Sequence, residues 1–187
     1  MIDTHCHLDL EPLVLHLPKL LQEASAAGVT GFVVPGVHPD GWQQMSELAT
    51  EYPQIMPAFG IHPMHAAFAD DRFLADLTEQ AQHGIAIGEI GLDPSYPVEA
   101  AIQENAFREQ LRVAVKLGLP VLVHCRKVFQ RTIQIMREER VVLVGGDNAR
   151  LLRFNRNGPR VHQAWIRHIY LRHHHLEKCG QAASAGQ

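Results

Sequence analysis

Short apolar runs alternate with amphipathic stretches along the first 140 residues of this chain. The apolar runs have the length and the Val and Ile content of buried strands, and the amphipathic stretches carry apolar residues at helical spacing. Strands that are apolar on both faces are typical of a parallel sheet covered by helices. The pattern therefore predicts an α/β domain made of repeated strand–helix units.

Five strands are predicted, at Ile2–Cys6, Thr30–Val34, Ile55–Ile61, Ile85–Ile90 and Leu119–His124. The helices between and after them are predicted at Leu13–Ala27, Gln43–Glu51, Asp71–His83, Ala101–Leu117 and Val128–Glu139. Asp40 is expected to cap the second helix, and three helices are expected to end at glycine, namely at Gly28, Gly84 and Gly118.

The alternation weakens after residue 140. Val141–Val144 could form a sixth strand and Val161–Leu171 a helix, but the intervening sequence is rich in turn residues. The charge also reverses, since residues 1–140 hold 18 acidic and 10 basic side chains and residues 141–187 hold 2 and 7. We expect one α/β domain over residues 1–146 and a divergent, irregular or helical basic tail over residues 147–187.

The overall composition is that of a soluble globular protein, with 46% hydrophobic and 20% charged residues. The 3 cysteines are an odd number, which argues against a disulfide scaffold and for a reducing compartment. No secretory signal and no apolar stretch of about 20 residues is evident. These features predict a cytoplasmic protein without a membrane partner.

Histidines and acidic residues occur where predicted strands end. His5 and His7 lie two apart on the first strand, so their side chains should face the same way and could bind a metal ion. A buried pair bonded to backbone groups is the alternative. Glu89 and Asp93 lie at and just beyond the end of the fourth strand, and a carboxylate there could bridge two cations.

The fifth strand repeats this arrangement, because His124 ends an apolar run. Arg126 follows it and could face a phosphodiester, since guanidinium pairs well with phosphate oxygens. His62 ends the third strand and could contact a substrate phosphate or support the site indirectly. The agreement among several strand ends indicates a metal-dependent site at one rim of the sheet.

Four motifs follow one another along the chain, Ile2–Asp9, Gly60–Pro63, Gly88–Asp93 and Leu119–His124, and together they cover residues 1 to about 140. In this order they resemble the TatD family of metal-dependent deoxyribonucleases, which are amidohydrolase-like barrels. The resemblance implies an incomplete TIM-type (β/α) barrel of about five to six units, with parallel strands inside and helices outside. It also implies hydrolysis of phosphodiester bonds in DNA.

The resemblance implies that His5, His7 and Glu89 hold one divalent cation, and that Glu89 and His124 hold a second. One or two metal ions (Mg, Mn or Zn) are therefore the expected cofactors. Glu89 is the expected catalytic residue, and the residues expected to contact substrate are His62, Asp93 and Arg126.

The family pattern also implies a later histidine and a later aspartate, which orients the attacking water. After Arg140 we find neither a His-Xaa-Phe-Ser-Gly nor a Glu-Thr-Asp segment, and members of the family are longer. We hypothesise that the tail is out-of-frame or replaced sequence and that roughly three of the eight barrel units are absent. Activity is then expected to be low or nil.

Two other functions fit the same residues. The histidines suit an amidohydrolase acting on a C–N or ester bond equally well, although the segment Gly88–Asp93 favours a nuclease. A non-catalytic metal-binding remnant is the other alternative, and it would self-associate through the open edge of an incomplete barrel.

Overall fold

The computed structural model describes residues 1–141, which form a curled parallel sheet covered by helices. Five parallel strands lie in the order β1-β2-β3-β4-β5. Their bounds are Ile2–Asp3, Gly31–Pro35, Ile55–Phe59, Ala86–Leu92 and Val121–Cys125. Each strand pairs with the next one in sequence, as in part of a barrel, so all five C-terminal ends lie along one rim.

Five α-helices alternate with these strands. Helices α1 to α5 span Leu17–Ala26, Trp42–Glu51, Asp71–Gln80, Ala100–Leu117 and Phe129–Glu138. Short 3-10 helices precede or extend the longer elements, at Val14–His16, Pro39–Gly41, Pro63–Phe68 and Ala81–His83. Among the described residues, no helix is both long enough and apolar enough to cross a membrane.

Apolar side chains fill both faces of the sheet. The larger cluster lies between the sheet and the helices and contains Phe59, Ile87 and Phe107, none of which is exposed. A smaller cluster of alternate strand residues fills the other face, with Val33, Ala58, Ala86 and Leu122. Burial on both faces is why the strands read as continuous apolar runs in the sequence.

The ends of β2, β3 and β4 converge closely at the rim. The backbone N–H of Gly36, just after β2, donates to Gly88 in β4 (2.9 Å), and the N–H of Glu89 donates back to Gly36 (3.0 Å). Gly60 lies between them, and a Cβ there would be 2.8 Å from the carbonyl carbon of Gly88. Glycines therefore allow the backbones to approach and bring Glu89 near the loops that follow the neighbouring strands.

Several predicted boundaries need correction. β1 ends at Asp3, so His5 and His7 lie in the irregular segment after the strand and not within it. Asp40 does not cap α2, because it lies in the 3-10 helix Pro39–Gly41, and its own N–H donates to the His38 ring. Proline at the start of that turn favours an extra 3-10 segment before α2.

The predicted glycine stops hold at two of three positions. Gly28 and Gly118 have φ values of +84° and +67°, in the left-handed region that terminates helices. Gly84 has a φ of −97° and follows the 3-10 turn Ala81–His83, so it leads directly into the next strand. The predicted sixth strand, the helix at Val161–Leu171 and the basic tail lie outside the described residues.

Candidate metal centre

Glu89 lies at the centre of the rim. A β-bulge interrupts the pairing of β4 with β5, since Ile87 pairs with Val121 and Ile90 with Val123. Glu89 is in the bulged segment, and bulges redirect side chains next to such sites. Its side chain is 11% exposed, so its charge depends on the groups around it.

The two histidines after β1 contact one oxygen of this carboxylate. Nε2 of His5 lies 3.1 Å from Oε2 of Glu89, and Nε2 of His7 lies 3.6 Å from the same atom. The two rings meet edge to face with centroids 5.1 Å apart. The pairing predicted from strand alternation is therefore present, although the bend after Asp3 creates it.

His124 contacts the other oxygen. It lies near the end of β5, and its Nδ1 is 3.3 Å from Oε1 of Glu89. Its ring centroid is 4.3 Å from that of His62, which follows β3. Residues that follow β1 and β3 and a residue near the end of β5 thus meet around one carboxylate, which β4 carries.

The environment separates the protonation states of these groups. Burial by itself would raise the pKa of Glu89, but hydrogen bonds to His124, His5 and His7 hold it well below its ordinary value. Burial by itself would lower the pKa of His7 and of His124, but the Glu89 carboxylate outweighs it and both are raised. Burial lowers the pKa of His62 to about 4, so this imidazole is neutral near pH 7.

The donor set fits divalent cations. Two groups of three donors each have their ligand atoms within 4.8 Å of one another. The first is His5, His7 and Glu89, and the second is His62, Glu89 and His124. Imidazole nitrogen with carboxylate oxygen suits Zn, Mn and related ions, and the shared carboxylate is the one that would bridge two of them.

One ring nitrogen of His62 is bonded to the backbone. Its Nδ1 accepts a hydrogen bond from the backbone N–H of Met64 at 3.2 Å. A neutral imidazole carries its hydrogen on one nitrogen only, so the hydrogen of His62 is on Nε2. With that hydrogen in place, Nε2 is a hydrogen-bond donor and has no lone pair for a metal ion. In that state the second group offers a cation only Glu89 and His124.

Asp93 and Arg126 lie beside His124 and are joined through Ser95. The Asp93 carboxylate accepts from His124 Nε2 at 2.8 Å and from the Ser95 hydroxyl at 2.6 Å. Nη1 of Arg126 donates to the same hydroxyl at 3.2 Å. Asp93 is 1% exposed, and burial opposes its charge, but Ser95 and His124 lower its pKa. Its predicted contact with substrate stays a prediction.

Two buried glutamines of α4 hold the backbone at the rim. Gln110 bonds to both the N–H and the carbonyl of Ile61, at 2.6 and 3.2 Å. Gln103 bonds in the same way to Asp93, at 2.8 and 3.1 Å. Each amide pairs the N–H and the carbonyl of one residue, as a neighbouring strand would in a sheet.

The sequence reasoning missed both glutamines. They are seven residues apart and buried among apolar residues of α4, such as Phe107. Two amides at that spacing on an apolar helix face could have indicated hydrogen bonds to buried groups of the sheet, because buried polar groups need partners. The sequence does not show which backbone groups those partners are.

The model of the family described as TatD related DNase matches residues 2–149 of this chain. Among similar proteins, an uncharacterized metal-dependent hydrolase YabD of Bacillus subtilis is 33% identical over 149 residues. The 3'-5' ssDNA/RNA exonuclease TatD of Escherichia fergusonii is 34% identical over 143 residues. These alignments cover 78% and 73% of this chain but only 58% and 54% of the relatives.

Solved structures agree on the fold. The crystal structure of YjjV, a TatD homolog from Escherichia coli, matches with a TM-score of 0.67 and 29% identity, covering 74% of this chain and 56% of that one. A TatD family hydrolase from Entamoeba histolytica matches with a TM-score of 0.69 at 20% identity, covering 75% and 54%. The chain therefore spans a little over half the length of the proteins that it matches.

Proposed function

This chain belongs to the TatD related DNase family, and we propose that its rim centre hydrolyses phosphodiester bonds of DNA with one or two divalent cations. The observation that carries the proposal is the position of Glu89, whose two oxygens face different histidines. A carboxylate shared by two donor sets would suit a pair of cations acting on one phosphodiester.

The proposed ligands divide between the two oxygens of Glu89. His5 and His7 approach Oε2 and would hold one cation, while His124 approaches Oε1 and would help to hold the second. When bound, divalent cations supply Lewis acidity to the phosphodiester and lower the pKa of water. The catalytic role proposed for Glu89 is to keep the two cation positions adjacent.

His62 is proposed to contact the substrate as a hydrogen-bond donor. Its Nε2 carries the hydrogen because Nδ1 accepts from Met64, and burial keeps the ring neutral near pH 7. A neutral donor can stabilise a phosphoryl oxygen without repelling a cation held by Glu89 and His124. Arg126 is the proposed charged contact to phosphate, with its guanidinium held near the site by Ser95.

A nucleic-acid substrate is supported by the relative from Escherichia fergusonii, which is named as an exonuclease on single-stranded DNA and RNA. The relative from Bacillus subtilis is named only as a metal-dependent hydrolase. The test therefore includes substrates other than DNA.

The experiment uses the full chain, a fluorescently labelled single-stranded oligonucleotide, and Mn²⁺ or Mg²⁺. Glu89→Gln is compared with Glu47→Gln, because Glu47 is exposed on α2. We expect cleavage that a chelator and Glu89→Gln abolish and that Glu47→Gln leaves unchanged. The low activity expected from the sequence makes dependence on the metal and on Glu89 the readout, not the absolute rate.

Other results would replace the proposal. Hydrolysis of a lactone or amide substrate without cleavage of DNA would indicate an amidohydrolase. Bound metal without hydrolysis of any of these substrates would indicate a metal-binding protein without catalysis. Cleavage of DNA by Glu89→Gln at the unchanged rate would overturn the role given to this centre.

The predicted self-association is a separate matter. β1 and β5 form the two edges of the sheet within residues 1–141, and these are the edges with which a second copy would pair. Self-association and a cytoplasmic location stay predictions.

A further inference from the structure

Asp93 occupies an unusual place for an acidic residue. It follows Leu92, the last residue of β4, and is 1% exposed. A buried carboxylate is costly unless its oxygens are bonded. Its bonding partners therefore indicate what this residue does.

The backbone and the side chain of Asp93 are both fixed. Gln103 bonds to its N–H and its carbonyl, at 2.8 and 3.1 Å. One carboxylate oxygen, Oδ1, accepts from the backbone N–H of Ser95 at 2.9 Å and from its hydroxyl at 2.6 Å. These four bonds determine the direction of the other oxygen, Oδ2.

Oδ2 of Asp93 lies 2.8 Å from Nε2 of His124. An ionised carboxylate only accepts hydrogen bonds, so the hydrogen of this bond must be on Nε2. The other ring nitrogen, Nδ1, faces Oε1 of Glu89 at 3.3 Å. The Glu89 carboxylate also only accepts, so Nδ1 donates to it unless a cation takes the place of that hydrogen. With the other hydrogen kept on Nε2, the lone pair of Nδ1 would then be directed at the cation.

We propose that Asp93 is a positioning residue, which holds the hydrogen of His124 on Nε2 and thereby directs the lone pair of Nδ1 toward the cation site at Glu89. The proposal rests on the proposed function in requiring that His124 is a metal ligand. Hydrogen bonds of this kind fix ring orientation and tautomer, and losing one costs about 10–100-fold in metal affinity.

Without the Asp93 carboxylate, His124 loses the group that distinguishes its two nitrogens. The ring could flip or exchange its hydrogen, and either change places an N–H toward the cation. The amide of Asp93→Asn has one acceptor oxygen and an NH₂ group that only donates, while Ser95 donates twice to this side chain. The amide oxygen is therefore expected to face Ser95 and its NH₂ to face His124, which favours the opposite tautomer.

The test measures Zn²⁺ binding and the tautomer of His124 in the full chain. Calorimetry gives the affinity, and long-range ¹⁵N–¹H correlations show which ring nitrogen carries the hydrogen. We expect wild type to hold the hydrogen on Nε2 with Zn²⁺ bound. Asp93→Asn should bind Zn²⁺ about 10–100-fold more weakly and shift the hydrogen toward Nδ1. Ser95→Ala, which keeps the carboxylate, should have a smaller effect on both.

Asp76→Asn is the matched control, because Asp76 lies on α3 and its side chain is 58% exposed. It should change neither readout. Unchanged affinity and tautomer in Asp93→Asn would overturn the proposal, as would a wild-type chain that binds no Zn²⁺. A wild-type chain that binds Zn²⁺ with the expected tautomer but does not cleave DNA would contradict the nuclease function and leave the positioning role intact.

Discussion

The side-chain amide of Gln110 hydrogen-bonds to both the N–H and the carbonyl of Ile61, at 2.6 and 3.2 Å. Gln110 is 1% exposed and lies on α4, whereas Ile61 lies just beyond the end of β3. Since His62 is the next residue, the helix holds the loop that carries the proposed substrate donor. Gln103 does the same for the loop after β4.

Gln110→Leu should lower the stability of the fold. The substitution keeps the approximate size of the side chain but leaves two buried peptide groups of Ile61 without partners. An unpaired buried group costs about 1–3 kcal/mol, so the free energy of unfolding should fall by at least that amount. Chemical denaturation measures it. Gln134→Leu is the control because Gln134 is exposed on α5, and an equal loss there would contradict the explanation.

Gly91→Ala should disturb the strand pairing that carries the site and lower the stability of the fold. Gly91 has a φ of +150°, and a Cβ at this position would lie 1.8 Å from the carbonyl oxygen of His124. Strain and overpacking together should cost about 2–6 kcal/mol in the free energy of unfolding. Gly41→Ala, whose Cβ would meet no atom within 4 Å, should cost less than about 1 kcal/mol. Equal melting temperatures for the two variants would contradict this account.

The affinity for a divalent cation should rise with pH. In the metal-free chain the pKa values of His7 and His124 are raised, mainly by Glu89 acting against burial. Both rings therefore hold protons up to a pH above their usual value of about 6.5, and a cation must displace them. Affinity should be lost as pH falls through these raised pKa values and should level off above them.

Calorimetry with Zn²⁺ in two buffers of different ionisation enthalpy measures the protons released. Near neutral pH we expect about one to two protons per bound cation. A binding constant that does not change between about pH 6 and pH 8 would show that the cation does not displace protons from these imidazoles.

His62→Phe should separate substrate contact from metal binding. His62 has its Nδ1 on Met64 and its hydrogen on Nε2, so the variant should bind Zn²⁺ as tightly as wild type. Loss of one preorganised donor to a phosphoryl oxygen should slow DNA cleavage by about 100-fold. A large loss of Zn²⁺ affinity would instead make His62 a ligand.

The neutral state of His62 can be checked independently. Its pKa is lowered to about 4, chiefly by burial, so its ring resonances should stay in the neutral position until the pH approaches that value. In urea-unfolded protein the same ring should titrate near about 6.5. Titration of His62 near neutral pH in the folded chain would contradict the buried, neutral donor.

The sequence by itself determined the order of strands and helices and the rim on which the centre lies. The spacing of apolar residues along the chain is a local property, so apolar runs identified β2 to β5. Parallel strands then place Glu89 and His124 at the same rim. His5 and His7 were expected to lie side by side, and they do, but that expectation assumed a strand that continues past Asp3. Chemistry at strand ends was predictable because it depends on spacing along the chain.

Only the tertiary structure decided how those groups are held. The bulge at Glu89, the bond of Gln103 to the Asp93 N–H and the hydrogen bond that His124 donates to Asp93 join residues 10 to 34 positions apart. Such contacts depend on the twist of the sheet and the path of the loops, which one-dimensional periodicity does not contain. The sequence identified the candidate donors of the centre, and the packing of α4 and the curl of the sheet set their directions.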